Sequence, residues 1–208
     1  MCGYCYPAHY LSNVDCLKLQ STQQLSFTQL FSGSFDGWTI TDTESNNFSI
    51  ADGTLLVEGP DGWLKSDREY GDFELDVEFR FMTDDADSGI FVRATGTEPF
   101  SRGWPNQSYQ VQMLNPLGGS PYPPVGALFR HGMPDGETTY KDELVREISE
   151  PTGVWQTLFI TAHGSEVSAS LNGVSVMNAQ NITNPSGYIG IQGETGAVEF
   201  RSLKIREL

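Results

Sequence analysis

After position 16 the chain has no cysteine: its only three, Cys2, Cys5 and Cys16, sit near the start with His9 among them. An odd thiol count closes no disulfide framework, and this spacing matches no standard zinc pattern, so residues 1–24 are expected to form an arm rather than a metal site. Basic residues are scarce, 12 Lys and Arg against 27 Asp and Glu, for a formal charge of -15. That balance excludes partners that are themselves polyanionic, namely nucleic acid and anionic membranes. Apolar runs long enough to span a bilayer are missing. Residues 1–24 also lack the basic start and continuous apolar stretch of a secretory leader, so a cytoplasmic protein is expected. The sequons at Asn47, Asn106 and Asn181 do not oppose this, because unused sequons are common. No P-loop, G-x-G-x-x-G or Ser-His-Asp order is present to suggest other enzyme classes.

What the chain does have is alternation. In residues 72–82, Phe73, Leu75, Val77, Phe79 and Phe81 fall on one side, and Glu74, Asp76, Glu78 and Arg80 on the other. Only a strand with one face in a core and one in water reads this way. The same period returns over residues 27–31, 38–40, 48–58, 63–66, 88–94, 109–114, 126–130, 154–163, 166–171, 174–177, 188–192 and 197–205. Asp52-Gly53 and Asn172-Gly173 supply hairpin turns. With 22 Gly, 11 Pro and 38% hydrophobic residues, the composition suits many turns around a real core. One helix is expected, over 139–148. A dozen short strands imply two packed antiparallel sheets, an all-β sandwich over residues 25–208 with an arm over 1–24.

Several motifs carry a resemblance: Trp63-Leu64-Lys65-Ser66, Tyr70-Gly71-Asp72-Phe73-Glu74-Leu75, Ser88-Gly89-Ile90-Phe91-Val92-Arg93, Tyr109-Gln110-Val111-Gln112 and Gly126-Ala127-Leu128. Leu171-Asn172-Gly173, Gly187-Tyr188-Ile189-Gly190-Ile191-Gln192 and Val198-Glu199-Phe200-Arg201 continue the series. In this order and spacing, over about residues 30–208, the chain resembles the 3-keto-disaccharide hydrolase domain family (DUF1080). The resemblance implies a concanavalin A-like jelly roll and action on 3-keto glycosides, by hydrolysis or by elimination after proton removal beside the ketone, or else carbohydrate binding. The chain departs from the family pattern at Gln110 and Asn115, where acids are usual. It departs again at Ala169, where the family has a His shortly before Leu-Asn-Gly, and at Gly193-Glu194, where Asp-His is usual. An amide cannot take a proton as a carboxylate does, and Ala cannot ligate a metal.

Strand parity groups the candidate residues. Ile90 and Val92 inward turn Phe91 and Arg93 outward; Tyr109, Val111 and Met113 inward turn out Gln110, Gln112 and Leu114. Ile189 and Ile191 inward turn out Tyr188, Gln192 and Glu194. A jelly roll usually offers one sheet face to its ligand, so these residues are expected to line one hollow. Three are candidates for catalysis. Arg93 offers a planar fork of donors for developing negative charge, Glu194 stands at a strand end where a general base can reach, and His131 could shuttle a proton near neutral pH. Substrate binding is expected from Phe91, Trp104, Gln110, Gln112, Tyr188 and Gln192. Trp104 would stack on a flat ring, and the stiff loop 115–125, with Tyr122, would form a wall. Trp38, Trp63 and Trp155 are expected in the core. Asp84, Asp85 and Asp87 could collect calcium, but a solvated acidic turn is the preferred reading, so no metal or cofactor is expected.

These residues suggest a small-molecule enzyme acting on 3-keto glycosides. Two alternatives stay open: an isomerase, lyase or cyclase of specialised metabolism, and a carbohydrate-binding module without turnover. A small-molecule ligand is expected; the oligomeric state is left open.

Overall fold

Alternation decides where the chain buries itself. From Phe73 to Phe81 every odd residue is buried and every even one half-buried, so one strand separates core from solvent. The computed structural model describes residues 26–41, 47–96 and 102–208; the arm expected over 1–24 lies outside them. In chain order come β1 (Thr28–Phe31), β2 (Trp38–Thr41), β3 (Phe48–Ala51), β4 (Thr54–Glu58) and β5 (Trp63–Tyr70). Next are β6 (Phe73–Phe81), β7 (Gly89–Ala94), β8 (Ser108–Gln112), β9 (Leu128–His131) and β10 (Thr138–Tyr140). The helix α1 (Asp142–Ile148) precedes β11 (Gln156–His163), β12 (Glu166–Leu171), β13 (Val174–Ala179), β14 (Gly187–Gln192) and β15 (Ala197–Glu207).

The strands form two antiparallel sheets. One runs β10-β13-β12-β11-β6-β15-β4-β3 with β1 added on β15; the other runs β2-β5-β14-β7-β8-β9. A single apolar cluster joins them, with Leu75, Val77 and Phe79 from the first sheet and Ile90, Val92, Tyr109, Val111, Ile189 and Ile191 from the second. This is the two-sheet jelly-roll sandwich that the alternation implies.

Two local expectations need correction. The helix starts at Asp142, because Thr138–Tyr140 pair with β13 instead of coiling. Two β-branched threonines beside an open strand edge favour that choice. Trp155 lies outside the core, half-buried on the outer face of the larger sheet. It is held between the guanidinium groups of Arg80 and Arg201, 4.6 and 4.5 Å from its ring.

A bulge redirects the end of β7. Tyr188 pairs with Ala94 and Gly190 with Phe91, so two steps on β14 face three on β7. Arg93 absorbs the extra residue with φ of 49°, a left-handed conformation that a long side chain rarely adopts. What holds it there is a set of acceptors. Its guanidinium donates to the carbonyls of Gly71 (2.9 Å), Gly164 (2.7 Å) and Asn184 (3.1 Å) and to Asp72 Oδ1 (2.6 Å). Asn184 Nδ2 in return donates to the Arg93 carbonyl at 2.9 Å. The Arg93 side chain is wholly buried, and burial pulls its pKa down against the opposing pull of Asp72. Removing one partner of such a pair strands the rest, which typically costs about 3–5 kcal/mol. Arg93→Ala should therefore lower the unfolding free energy by about that amount in urea titrations. A loss under about 1 kcal/mol, the range of solvated pairs, would contradict this packing.

Candidate functional site

On the solvent side of the six-stranded sheet, the residues that alternate with the core form a hollow of about 330 Å³. It is lined by Gln110 and Gln112 of β8, Gln192 of β14, Phe129 and His131 of β9, and, from loops, Asp87, Trp104, Tyr122 and Glu194. Beneath one side lies a second apolar cluster of Trp63, Phe91, Ala94 and Trp104. Phe91 meets Trp63 edge-on at 5.6 Å and the His131 ring at 6.0 Å. Gly89 has a positive role here, since a Cβ at that position would collide with the Gln110 amide.

The polar floor is a chain of hydrogen bonds whose direction can be derived from one end. Asp87 Oδ1 lies 3.0 Å from Gln112 and, as a carboxylate, can only accept, so Gln112 presents its NH2 there. Its carbonyl oxygen then faces Gln110 and accepts from Gln110 Nε2 at 2.7 Å. The second hydrogen on that nitrogen reaches Gln192 Oε1 at 2.9 Å. Gln110 Oε1 is left for His131 Nε2 at 2.6 Å, so the imidazole carries its proton on Nε2. Gln192 uses its oxygen in this chain, and among the described residues its NH2 has no protein partner, leaving it turned to the hollow.

Two acids share the hollow. Burial pushes the Asp87 carboxyl up to about 6 against the hydrogen bonds from the Ser88 N–H and Gln112 that favour its anion. Burial and the nearby Asp87 charge push Glu194 up to about 7, opposed by Arg102. Arg102 bonds Glu194 Oε1 at 3.0 Å and Asp61 Oδ1 at 2.8 Å, so its charge is shared between two carboxylates. Burial pulls His131 below its ordinary 6.5, which keeps the ring neutral at neutral pH.

Seven residues expected at the site do line this hollow: Glu194, His131, Trp104, Gln110, Gln112, Gln192 and, as a wall, Tyr122. Three do not. Arg93 is corrected most sharply: the bulge turns it away from the amides and seals it against Asp72. Phe91 faces the expected side but is fully covered, so it supports the floor without reaching a ligand. Tyr188 lies outside the hollow against the Trp63 cluster, with Lys65 Nζ 4.3 Å from its ring centre. The aspartate triplet is not gathered: Asp84 accepts from Thr152, Asp85 is exposed, and Asp87 turns to Gln112. Among the described residues no three His, Cys, Asp or Glu side chains converge as a metal site.

Sequence reasoning missed Asp87 and Phe129 as site residues. Parity could have found both, since Asp87, Gly89 and Phe91 share a side, and so do Phe129 and His131 once β9 extends to His131. Arg102 comes from a loop and left no periodic signal. Three departures from the family pattern, Asn115, Ala169 and Gly193, serve the fold, while Gln110 and Glu194 line the hollow. Asn115 is buried and holds its loop through Thr83, Thr152 and Leu117. Ala169 points into the core, and the Gly193 carbonyl accepts from Trp104 Nε1 at 3.0 Å.

A jelly-roll sandwich with an acid-bearing hollow on its smaller sheet is the class these features define. The chain belongs to the 3-keto-alpha-glucoside-1,2-lyase-like domain family, whose sequence model matches residues 26–206. Two candidate glycosyl hydrolases of Parabacteroides distasonis share the fold, each with a TM-score of 0.66. One is 22% identical, covering 88% of this chain and all of its own; the other is 16% identical, covering 95% and 98%. The carbohydrate-binding module CBM66 of Bacillus subtilis superposes at a TM-score of 0.54, with 11% identity over 82% of this chain and 96% of its own. No curated protein matches the sequence. Among the described residues no helix is long and apolar enough to cross a membrane.

The amide chain can be checked through its far end. Nitrogen NMR of His131 should show the neutral Nε2–H tautomer, with protonation only below 6.5. Gly89→Ala should shift that signal by dislodging Gln110. An Nδ1–H tautomer, or no response to the alanine, would contradict the chain's polarity.

Proposed function

We propose that the hollow binds an uncharged 3-keto glycoside and eliminates the substituent at C1. The observation that carries this reading is the convergence of two carboxyls and an uncommitted amide NH2 on one hollow of a family member. Elimination beside a ketone needs three things: a base for the acidic proton, a donor for the carbonyl oxygen as it gains charge, and an acid for the departing oxygen. The Gln192 NH2 suits the donor's part. Glu194, expected from the sequence as a base, is given the acid's part, because burial and the Asp87 charge both favour its protonated form. His131 donates to Gln110, so it orients the amides, and burial weakens its ring as a base.

Ligand shape and charge follow from the walls. Tyr122 is 68% exposed at the lip, and its loop is fastened by Arg146, which bonds the Pro116 carbonyl at 3.0 Å and Asp142 at 2.7 Å. With Trp104 beside the polar floor, a ring with one apolar face is well matched. Arg102 is already engaged by Asp61 and Glu194, so a phosphorylated or carboxylated sugar would meet uncompensated negative charge. A binding module without turnover draws support from Gln110, the amide at a usual family acid. An isomerase or cyclase role has no observation here in its favour.

Incubation with 3-keto glycosides should release the alcohol together with a 1,2-unsaturated 3-keto sugar, followed by the ultraviolet absorbance of the conjugated ketone. Glu194→Gln should slow release of poor leaving groups about 100-fold or more with binding retained. Because Glu194 acts in its protonated form, the wild-type rate should fall as pH rises through about 7. Bound keto-glycoside with no product at any pH would contradict the lyase reading and favour the binding module.

A further inference from the structure

We infer that Asp87 is the base that removes the proton from C2, beside the C3 ketone. This rests on the lyase reading above. The placement is built by backbone as well as side chain. Asp87 and Thr195 exchange hydrogen bonds, the Asp87 N–H to the Thr195 carbonyl at 2.8 Å and the Thr195 N–H to the Asp87 carbonyl at 3.2 Å. That bridge sets Asp87 opposite the residue that follows Glu194, so both carboxyls stand at the same end of the hollow. Ser88, the next residue, ties the two strands again through its hydroxyl, which donates to the Gln192 carbonyl at 2.7 Å. The base and the carbonyl's donor, Gln192, therefore ride on one rigid pair of strands.

Elimination among the other groups that line the hollow leads to the same residue. Gln110, Gln112 and Gln192 are amides and take no proton. His131 spends its Nε2 proton on Gln110, and burial pulls the ring below its ordinary pKa, which weakens it as a base. Glu194 begins protonated as the acid, with Arg102 donating to its Oε1, and so offers no anion to take the proton. The Asp87 side chain receives a hydrogen bond from Gln112, which favours its anion, and Arg102 acts on it through space without forming an ion pair. A carboxylate made more basic by partial burial, yet hydrogen-bonded in place, suits proton abstraction from carbon.

The step balances without any further reagent. The Asp87 carboxylate takes the C2 proton, and the electron pair forms the enolate, with negative charge on the C3 oxygen near the Gln192 NH2. The enolate returns to the ketone as the C1–C2 double bond forms and the C1–O bond breaks. The departing oxygen takes the proton of Glu194. The two carboxyls end with their protonation exchanged, and solvent resets them.

The test separates proton removal from bond breaking. The full chain is incubated in heavy water with a 3-keto glucose analogue that carries only hydrogen at C1 and so cannot eliminate. Exchange at C2 and at C4 is read by proton NMR, and binding of the analogue is measured separately. Wild type and Glu194→Gln should both exchange C2 in preference to C4. Asp87→Asn should bind the analogue yet exchange C2 about 100-fold more slowly or worse. The pH dependence of wild-type exchange gives a second reading that needs no variant to fold. With Glu194, Arg102 and His131 around Asp87, exchange should rise through about 6 and then level off. Retained C2 exchange in Asp87→Asn, its loss in Glu194→Gln alone, or a flat wild-type profile would overturn the role of Asp87 and leave the lyase reading standing. A wild type that neither exchanges the analogue nor turns over a 3-keto glycoside would overturn both.

Discussion

A carboxylate at one end of a row of amides fixes which way each amide points. The bond from Gln112 to Asp87 is that constraint here. From it follow the orientation of Gln110, the proton on His131 Nε2 and the NH2 that Gln192 turns to the hollow. Each buried amide in the row satisfies its neighbour, so the floor is rigid without needing solvent. The hydrogen-bonding pattern of the floor depends on this polarity from end to end.

Rigidity comes from below as well. The aromatic cluster under Trp104 and the Ile90–Val92 side of β7 are packed on opposite faces of one strand, so the floor cannot tilt without disturbing the core. Close approaches replace side chains where the floor needs room: Gly89 admits the Gln110 amide, and Gly190 admits the Trp63 ring, each at a position where a Cβ would collide. The ion pairs between Arg80 and Glu199 and between Arg201 and Glu78 lie on the outer face of the other sheet and bear on the fold alone.

Most of the fold was legible because burial on one face leaves a period of two. Residues 72–82 carried it without a break, and the hairpin turns at Asp52-Gly53 and Asn172-Gly173 carried it between strands. The same period brought Gln110, Gln112 and Gln192 to one face. It failed at Arg93, where a bulge inserts a residue and reverses the side chain, an event that leaves no mark on the hydrophobic pattern. It failed differently at Phe91, whose outward direction was read correctly but whose cover comes from distant Trp63 and Trp104. Asp87 was visible but grouped with Asp84 and Asp85 by adjacency in sequence, when its partners are Gln112 and Thr195 across strands. Arg102 and Glu194 meet through loops, which have no period to read.

Gln110 offers no acid, and the carboxyl nearest it along the row, Asp87, stands beyond Gln112. A crystal structure with a bound, non-eliminating 3-keto glucose analogue tests the proposed site most directly. The account predicts the sugar on the polar floor, its C3 oxygen at the Gln192 amide, C2 next to Asp87 and C1 turned to Glu194. A sugar seated elsewhere on the sandwich, or with C2 facing His131 and Gln110, would contradict it.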